Sequence, residues 1–301
     1  MHIPDGFLAT PVWAGLASVS APLVGVLAKK AQSGLQESRV PLMGLMGAFV
    51  FAAQMINFPV GAGASGHLIG AALLTVTLGP APAAVVMTAI LAIQALIFQD
   101  GGLLALGANV FNMALAGILA AWLPIRLLAS TRARSLGIFL GGFLSVFVSA
   151  CLCLGELALS GVPIPAQALL LALGVYCVTS ILEGAITVAV LGALETMNPR
   201  WLQHSSQPVA RPTLIALAGA TLALASAGFL VASALPDGLE RIAGLIGLEE
   251  KALFHAPLPD YQTLAAANPW LSKATAGLGG LLLTFGLCYI VGRWLARWRN
   301  A

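Results

Sequence analysis

Charge is what this sequence has least of. Only 8% of its 301 residues are Asp, Glu, Lys or Arg and 59% are hydrophobic, whereas soluble domains carry about 25% charged residues. Such a chain is a polytopic membrane protein, and the lipid bilayer is its first partner. It has no basic patch of the kind that binds nucleic acid. No lysine follows a glycine, so the Gly-x-x-x-x-Gly-Lys-Ser/Thr phosphate loop is absent and the chain cannot form that ATP site. Cysteine is scarce too. Cys151, Cys153, Cys177 and Cys288 all lie in apolar runs, where cysteine acts as a small hydrophobe. Cys151 and Cys153, two apart on a helix, face different directions and cannot chelate together.

What is present is a succession of apolar runs bounded by charges or by Gly and Pro. They lie near residues 12–28, 40–57, 81–98, 103–124, 136–159, 166–193, 213–235 and 275–295, each long enough to span. A further run at 68–79 would make about 18 Å of helix, short of a full crossing. The expected fold is all-α: about seven transmembrane helices, one of them short, plus a C-terminal two-helix hairpin. A polar, proline-bearing stretch at 198–212, NPRWLQHSSQPVARP, divides a first domain at 1–205 from a second at 206–301.

No Lys or Arg precedes the first run, while Lys29, Lys30 and Arg39 follow it, the reverse of a secretory signal. The amino terminus is therefore expected outside and the carboxyl terminus in the cytoplasm. Alternating nine segments from that start places eleven of the fourteen basic residues inside, leaving Arg241, Lys251 and Lys273 outside. Omitting the short segment would swap every later loop, so the short segment must cross. The loop FPVGAGASGH at 58–67 then shares the outer face with the amino terminus.

That shared face matters because the chain begins MHIPDGFL. The Met1 amine, the His2 amide nitrogen and His2 Nδ1 can close two fused chelate rings on one ion. A deprotonated amide suits square-planar late divalent metals such as nickel, copper and, under constraint, cobalt. His67 is the natural fourth nitrogen. Pro4 offers no competing N–H, and Asp5 with Gly6 permits a tight turn. Asp5, Gln54, Asn57, Ser65, Asn109 and Asn112 are polar groups at or near this face, able either to support the ligands or to tie helices together. Glu156 and Glu183 lie inside predicted spans, where ionisable residues invite a functional explanation. His204 and His255 read as ordinary surface histidines.

Four stretches carry a resemblance: MHIPDGFL, AAQMINFPVGAGASGHLIGAALLTVTLGP, QALIFQDGGLLALGANVFNMALAG and PDGLE at 236–240. The chain resembles the CbiM/NikM substrate-binding component of energy-coupling-factor transporters for cobalt and nickel, with a tail similar to the small two-span N component. The resemblance implies that Met1, His2 and His67 hold Co²⁺ or Ni²⁺ as transported substrate. It implies as partners a transmembrane coupling protein (Q/T-type) and ATP-binding subunits (O/A-type), in a bacterial plasma (inner) membrane. Gln99 departs from the family pattern, which has Gly before Asp100. No enzymatic activity is expected of the chain itself. The rival reading is an ion- or proton-coupled secondary transporter or channel using Glu156 and Glu183. A metalloenzyme built on His2 and His67 would need a positioned acid or base, and only Asp5 is near in sequence.

Overall fold

A computed structural model describes residues 1–198, 209–253, 255–263 and 268–297. The expected boundary at 205/206 and His204 lie outside the described residues. Five long helices and two short ones form the first part: α1 (Thr10–Gly34), α2 (Val40–Gln54), α3 (Ala71–Leu78), α4 (Pro80–Ile93), α5 (Leu106–Asn109) continuing into α6 (Gly117–Leu128), α7 (Arg134–Leu159) and α8 (Ala166–Met197). Then come α9 (Arg211–Ala227), α10 (Gly238–Ile246) and α11 (Pro269–Arg297). Seven helical stretches among the described residues are long and apolar enough to cross a membrane. The expected all-α polytopic class is what the structure has.

α4 with its extension is the centre of the bundle, the most buried of the seven spans, whereas α1 is the least buried. α9 and α11 pack against α2, and α11 also reaches α4, so the C-terminal hairpin lies along the first bundle. Arg39, at the start of α2, donates to the Thr77 carbonyl at the end of α3 at 3.4 Å. Gln54, at the other end of α2, donates to the Ile69 carbonyl just before α3 at 2.7 Å. α3 thus runs antiparallel to α2, its last turn level with the start of α2. A 15-residue helix is about 22 Å long, less than the ~30 Å hydrocarbon layer.

Three features had no counterpart in the hydrophobic pattern. Phe58–Gly61 and Ala64–Gly66 pair as a short antiparallel hairpin, β1 and β2. The backbone widens into π-helical turns at Gln94–Phe98 and Val110–Ala116, of the kind that recurs at functional sites; they place the Gln94 and Asn112 amides. α10 arises from the PDGLE stretch. Asp237 is its N-cap, accepting from the Leu239 and Glu240 amides, and Glu240 returns the bond to the Asp237 amide. This is a capping box of the form Asp-x-x-Glu.

Candidate metal centre

The amino-terminal segment is held by both its apolar and its polar residues. Ile3, Phe7 and Leu8 are buried against Leu157 of α7 and Leu239 of α10, each buried side chain worth roughly 1.5–3 kcal/mol. Asn109 reads the main chain of Ile3 from both sides, accepting from its amide at 2.8 Å and donating to its carbonyl at 3.1 Å. The Gly102 amide donates to the same carbonyl at 2.9 Å. Asp5 accepts from the amides of Leu103, Leu104 and Ala105 at 3.0, 2.8 and 3.3 Å. Residues 3 and 5 are thereby locked to the loop between α4 and α5, and residues 1 and 2 project beyond it.

Gly101 and Gly102 make that close approach possible. A Cβ on Gly102 would fall 2.1 Å from Asp5 Oδ1, and one on Gly101, at φ +97°, would fall 3.2 Å from the His2 Cβ. Gln99, the departure from the family pattern, sits in left-handed backbone at φ 56°, where Gly is ordinarily preferred. Its side chain accepts from the Ala256 amide at 3.4 Å, a contact to the segment between α10 and α11 that Gly could not make.

His2 and His67 come together. Their rings stack with centroids 5.3 Å apart and 29° between planes, and the Met1 amine lies 3.3 Å from His67 Nε2. Ligand nitrogens on one ion are about 3–4 Å apart, given metal–nitrogen bonds of ~2 Å, so this spacing suits a shared ion. His67 Nδ1 faces its neighbour's carbonyl, Leu68 O, at 3.1 Å, which turns Nε2 toward the amine. Both His2 ring nitrogens are buried without a hydrogen-bond partner; the one lone pair of a neutral imidazole left bare in this way is what a metal would satisfy. Among the described residues no group of three His, Cys, Asp or Glu side chains could hold a metal. A metal site here would have to draw on the main chain as well.

The C-terminal part reaches this cluster at two points. The Ser65 amide donates to the Pro236 carbonyl at 2.8 Å and the Ser65 hydroxyl to Leu235 O at 2.7 Å. This docks the PDGLE turn on β2 and delivers Asp237 Oδ2 to the Met1 amine as an ion pair. At the second point, Tyr261 stacks on Phe98 at 4.6 Å and donates to Asp100 Oδ2 at 2.5 Å. Asp100 Oδ1 in turn lies 4.0 Å from His2 Nδ1. Gln94 links Tyr261 at 3.3 Å to Gln54 at 2.8 Å.

Burial opposes charge on the Met1 amine, but the Asp237 carboxylate outweighs it and the amine's pKa is raised. Burial lowers both imidazoles, aided by the adjacent amine, His67 to about 4. Asp237 is held down at about 2 against its own burial by the amine and His67. Near neutral pH the cluster therefore holds neutral imidazoles facing a protonated amine.

Of the other candidates, Gln54 bonds the Ile69 carbonyl two residues past His67, Ser65 anchors the PDGLE turn, and Asn109 and Asp5 hold the amino-terminal segment. Asn57 offers its main-chain carbonyl to the Ser233 amide at 2.7 Å, and Asn112 donates to Glu156 at 2.9 Å; neither contact involves an imidazole. His255 is exposed. Asp100 and Asp237 were not singled out as site residues from sequence, and Glu183 was singled out only as an ionisable residue within a span. The QDGG and PDGLE stretches held the signal for the first two.

The fold is that of a multi-pass membrane protein, and the comparisons with known proteins make it a transport component. Residues 2–201 match the CbiM family, described as the cobalt uptake substrate-specific transmembrane region, and residues 211–297 match the PDGLE domain. The chain belongs to the CbiM family, with a PDGLE domain fused behind it. It is 31% identical over 298 residues to a putative fused nickel transport protein, NikMN, of Archaeoglobus fulgidus, covering 98% of this chain and 99% of that protein. It is 37% identical over 163 residues to a cobalt transport protein, CbiM, of Acetoanaerobium sticklandii, covering 53% of this chain and 67% of the relative. The crystal structure of a transition metal transporter matches with a TM-score of 0.59 at 32% identity, covering 68% of this chain and 97% of that one.

Proposed function

We propose that this chain is the substrate-capturing component of an ATP-driven importer of the energy-coupling-factor type. In this reading it takes Ni²⁺ or Co²⁺ at the outer face through the Met1 amine, the His2 amide and imidazole, and the His67 imidazole. The observation that carries the reading is the 3.3 Å approach of the Met1 amine to His67 Nε2 beside the stacked His2 ring. Nitrogen donors and an amide favour late transition metals over Ca²⁺ and Mg²⁺, which prefer oxygen. His67 arrives on the β2–α3 segment and His2 on the amino-terminal segment, so metal capture would join two loops held by different helices.

Lacking a phosphate loop, the chain would depend on a transmembrane coupling protein and ATP-binding subunits for energy. Its amino terminus lies outside and its carboxyl terminus in the cytoplasm, in a bacterial inner membrane. The division into a metal-binding part at 1–205 and a PDGLE-bearing part at 206–301 makes the second part a cover over the first part's site. The rival reading, a proton- or ion-coupled carrier on Glu156 and Glu183, is weakened at Glu183, whose two oxygens are both engaged by main-chain amides.

The test is elemental analysis of protein purified with its native amino terminus. One Ni²⁺ or Co²⁺ per chain is expected after loading, lost in His2→Ala and held more weakly in His67→Ala, which keeps the three nitrogens of Met1 and His2. A chain that binds neither metal overturns the reading.

A further inference from the structure

Glu183 stands in the middle of α8 with no exposure at all. A carboxylate inside a span is costly unless its lone pairs are satisfied. Here Oε2 accepts from the Ile69 amide at 2.7 Å and Oε1 from the Gly70 amide at 2.8 Å. These amides lead into α3, whose first turn has no intrahelical acceptors of its own and whose N-cap, Gly70, has no side chain to supply one. A negative group at that end is also favoured by the helix dipole. The other side of the Ile69 peptide is held as well, its carbonyl accepting from Gln54 Nε2 at 2.7 Å. One peptide is thus clamped between α2 and α8.

His67 is two residues upstream. Its Nδ1 faces Leu68 O, within the same clamped segment, at 3.1 Å, and its Nε2 faces the Met1 amine. The ring's position follows from the backbone that carries it. We propose that Glu183 is a positioning residue of the metal centre: by holding the Ile69 and Gly70 amides from α8, it fixes the segment from which His67 reaches the ion. This rests on the four-nitrogen reading above. It gives Glu183 a role different from that of a carrier, which would exchange its proton or ion while leaving metal affinity intact.

The experiment uses the full chain with its native amino terminus, titrated with Ni²⁺ and followed by calorimetry and by the visible ligand-field band. The variants are Glu183→Gln, His67→Ala and the double substitution. Glu183→Gln replaces one acceptor oxygen with an amino group facing an N–H. It should raise the Ni²⁺ dissociation constant at least tenfold and move the band to longer wavelength, in the direction that His67→Ala moves it. On the His67→Ala background the same substitution should change affinity less than twofold, because it acts through His67. Unchanged affinity and spectrum in Glu183→Gln overturn the proposal, and so does an equal loss on both backgrounds, which marks a general structural role. If Glu183→Gln does not fold, hydrogen exchange on the unmodified chain decides. The Ile69 and Gly70 amides should exchange as slowly as the interior of α3, and exchange as fast as Ala62 in the hairpin turn overturns the proposal. Failure of the unmodified chain to bind Ni²⁺ or Co²⁺ would instead overturn the four-nitrogen reading, and this inference with it.

Discussion

The Met1 amine and the Asp237 carboxylate, 236 positions apart, form an ion pair beside His67. Asp237 serves two purposes at once. Oδ1 caps α10 by accepting from Leu239 and Glu240, and Oδ2 faces the amine. A metal that took the amine would displace this partner, so the fused PDGLE turn and the ion compete for one nitrogen.

That competition sets the expected pH dependence. Metal must displace a proton from an amine whose pKa Asp237 raises, while His67 is already neutral well above its pKa of about 4. Between about pH 6 and 8 the affinity should therefore climb, roughly tenfold per pH unit for each proton displaced. Direct Ni²⁺ titrations across this range check it. A flat affinity would mean that the amine is not a ligand.

Asp237→Asn removes the charge that favours the protonated amine. Affinity for Ni²⁺ at pH 7 should rise several-fold and its pH dependence should shift to lower pH. Because the Oδ1 cap is retained by the amide oxygen, α10 should lose no more than about 1 kcal/mol. Weaker binding in this variant would assign Asp237 a supporting role toward the metal in place of a competing one.

One Gly placed ahead of Met1 turns the amine into a peptide nitrogen. Metal content should fall to the level of His2→Ala, with the thermal unfolding midpoint little changed. Stoichiometric metal in the extended chain would exclude the amine–amide–imidazole chelate.

Gly102→Ala puts a methyl group 2.1 Å from Asp5 Oδ1 and 2.4 Å from the Asp5 amide. The amino-terminal segment must move, at a cost of about 1–3 kcal/mol. Metal affinity should drop at least tenfold although no ligand is altered. Calorimetric Ni²⁺ titration of the purified variant tests it.

The orientation follows from side-chain labelling. A cysteine in place of exposed Ala62, in the hairpin turn, should react with an impermeant reagent applied outside intact cells. One in place of exposed Arg132, between α6 and α7, should react only after permeabilisation. The reverse pattern would put the candidate centre on the cytoplasmic face.

Much of this architecture was already legible along the chain. Helices in a membrane must satisfy their own backbone and bury little else, so runs such as 136–159 and 166–193 mark α7 and α8 to within a few residues. The donor chemistry proposed for Met1 and His2 is local in the same sense, since adjacent atoms of two residues would make the chelate whatever the fold. Asp-x-x-Glu in PDGLE carries a capping-box signal for α10, but the stretch was read only as part of a loop. The hairpin at 58–66 and the π-helical turns do not follow from hydrophobic period, because Gly-rich strands have no alternating pattern and a single widened turn barely alters the spacing.

Only the tertiary structure decided which residues meet. Asp237 faces Met1 because Ser65 on β2 takes up the Pro236 and Leu235 carbonyls, a pairing between loops that no local rule specifies. Glu183 holds the Ile69 and Gly70 amides because α8 passes beside the start of α3, and Asn109 holds Ile3 because α5 begins where the amino terminus folds back. Sequence by itself determined the long helices and the chemical character of the candidate ligands, since both depend on neighbouring atoms in the chain. Their partners were decided by packing, since a hydrogen bond of 2.7 Å between residues 114 apart exists only once the helices that carry them are in place.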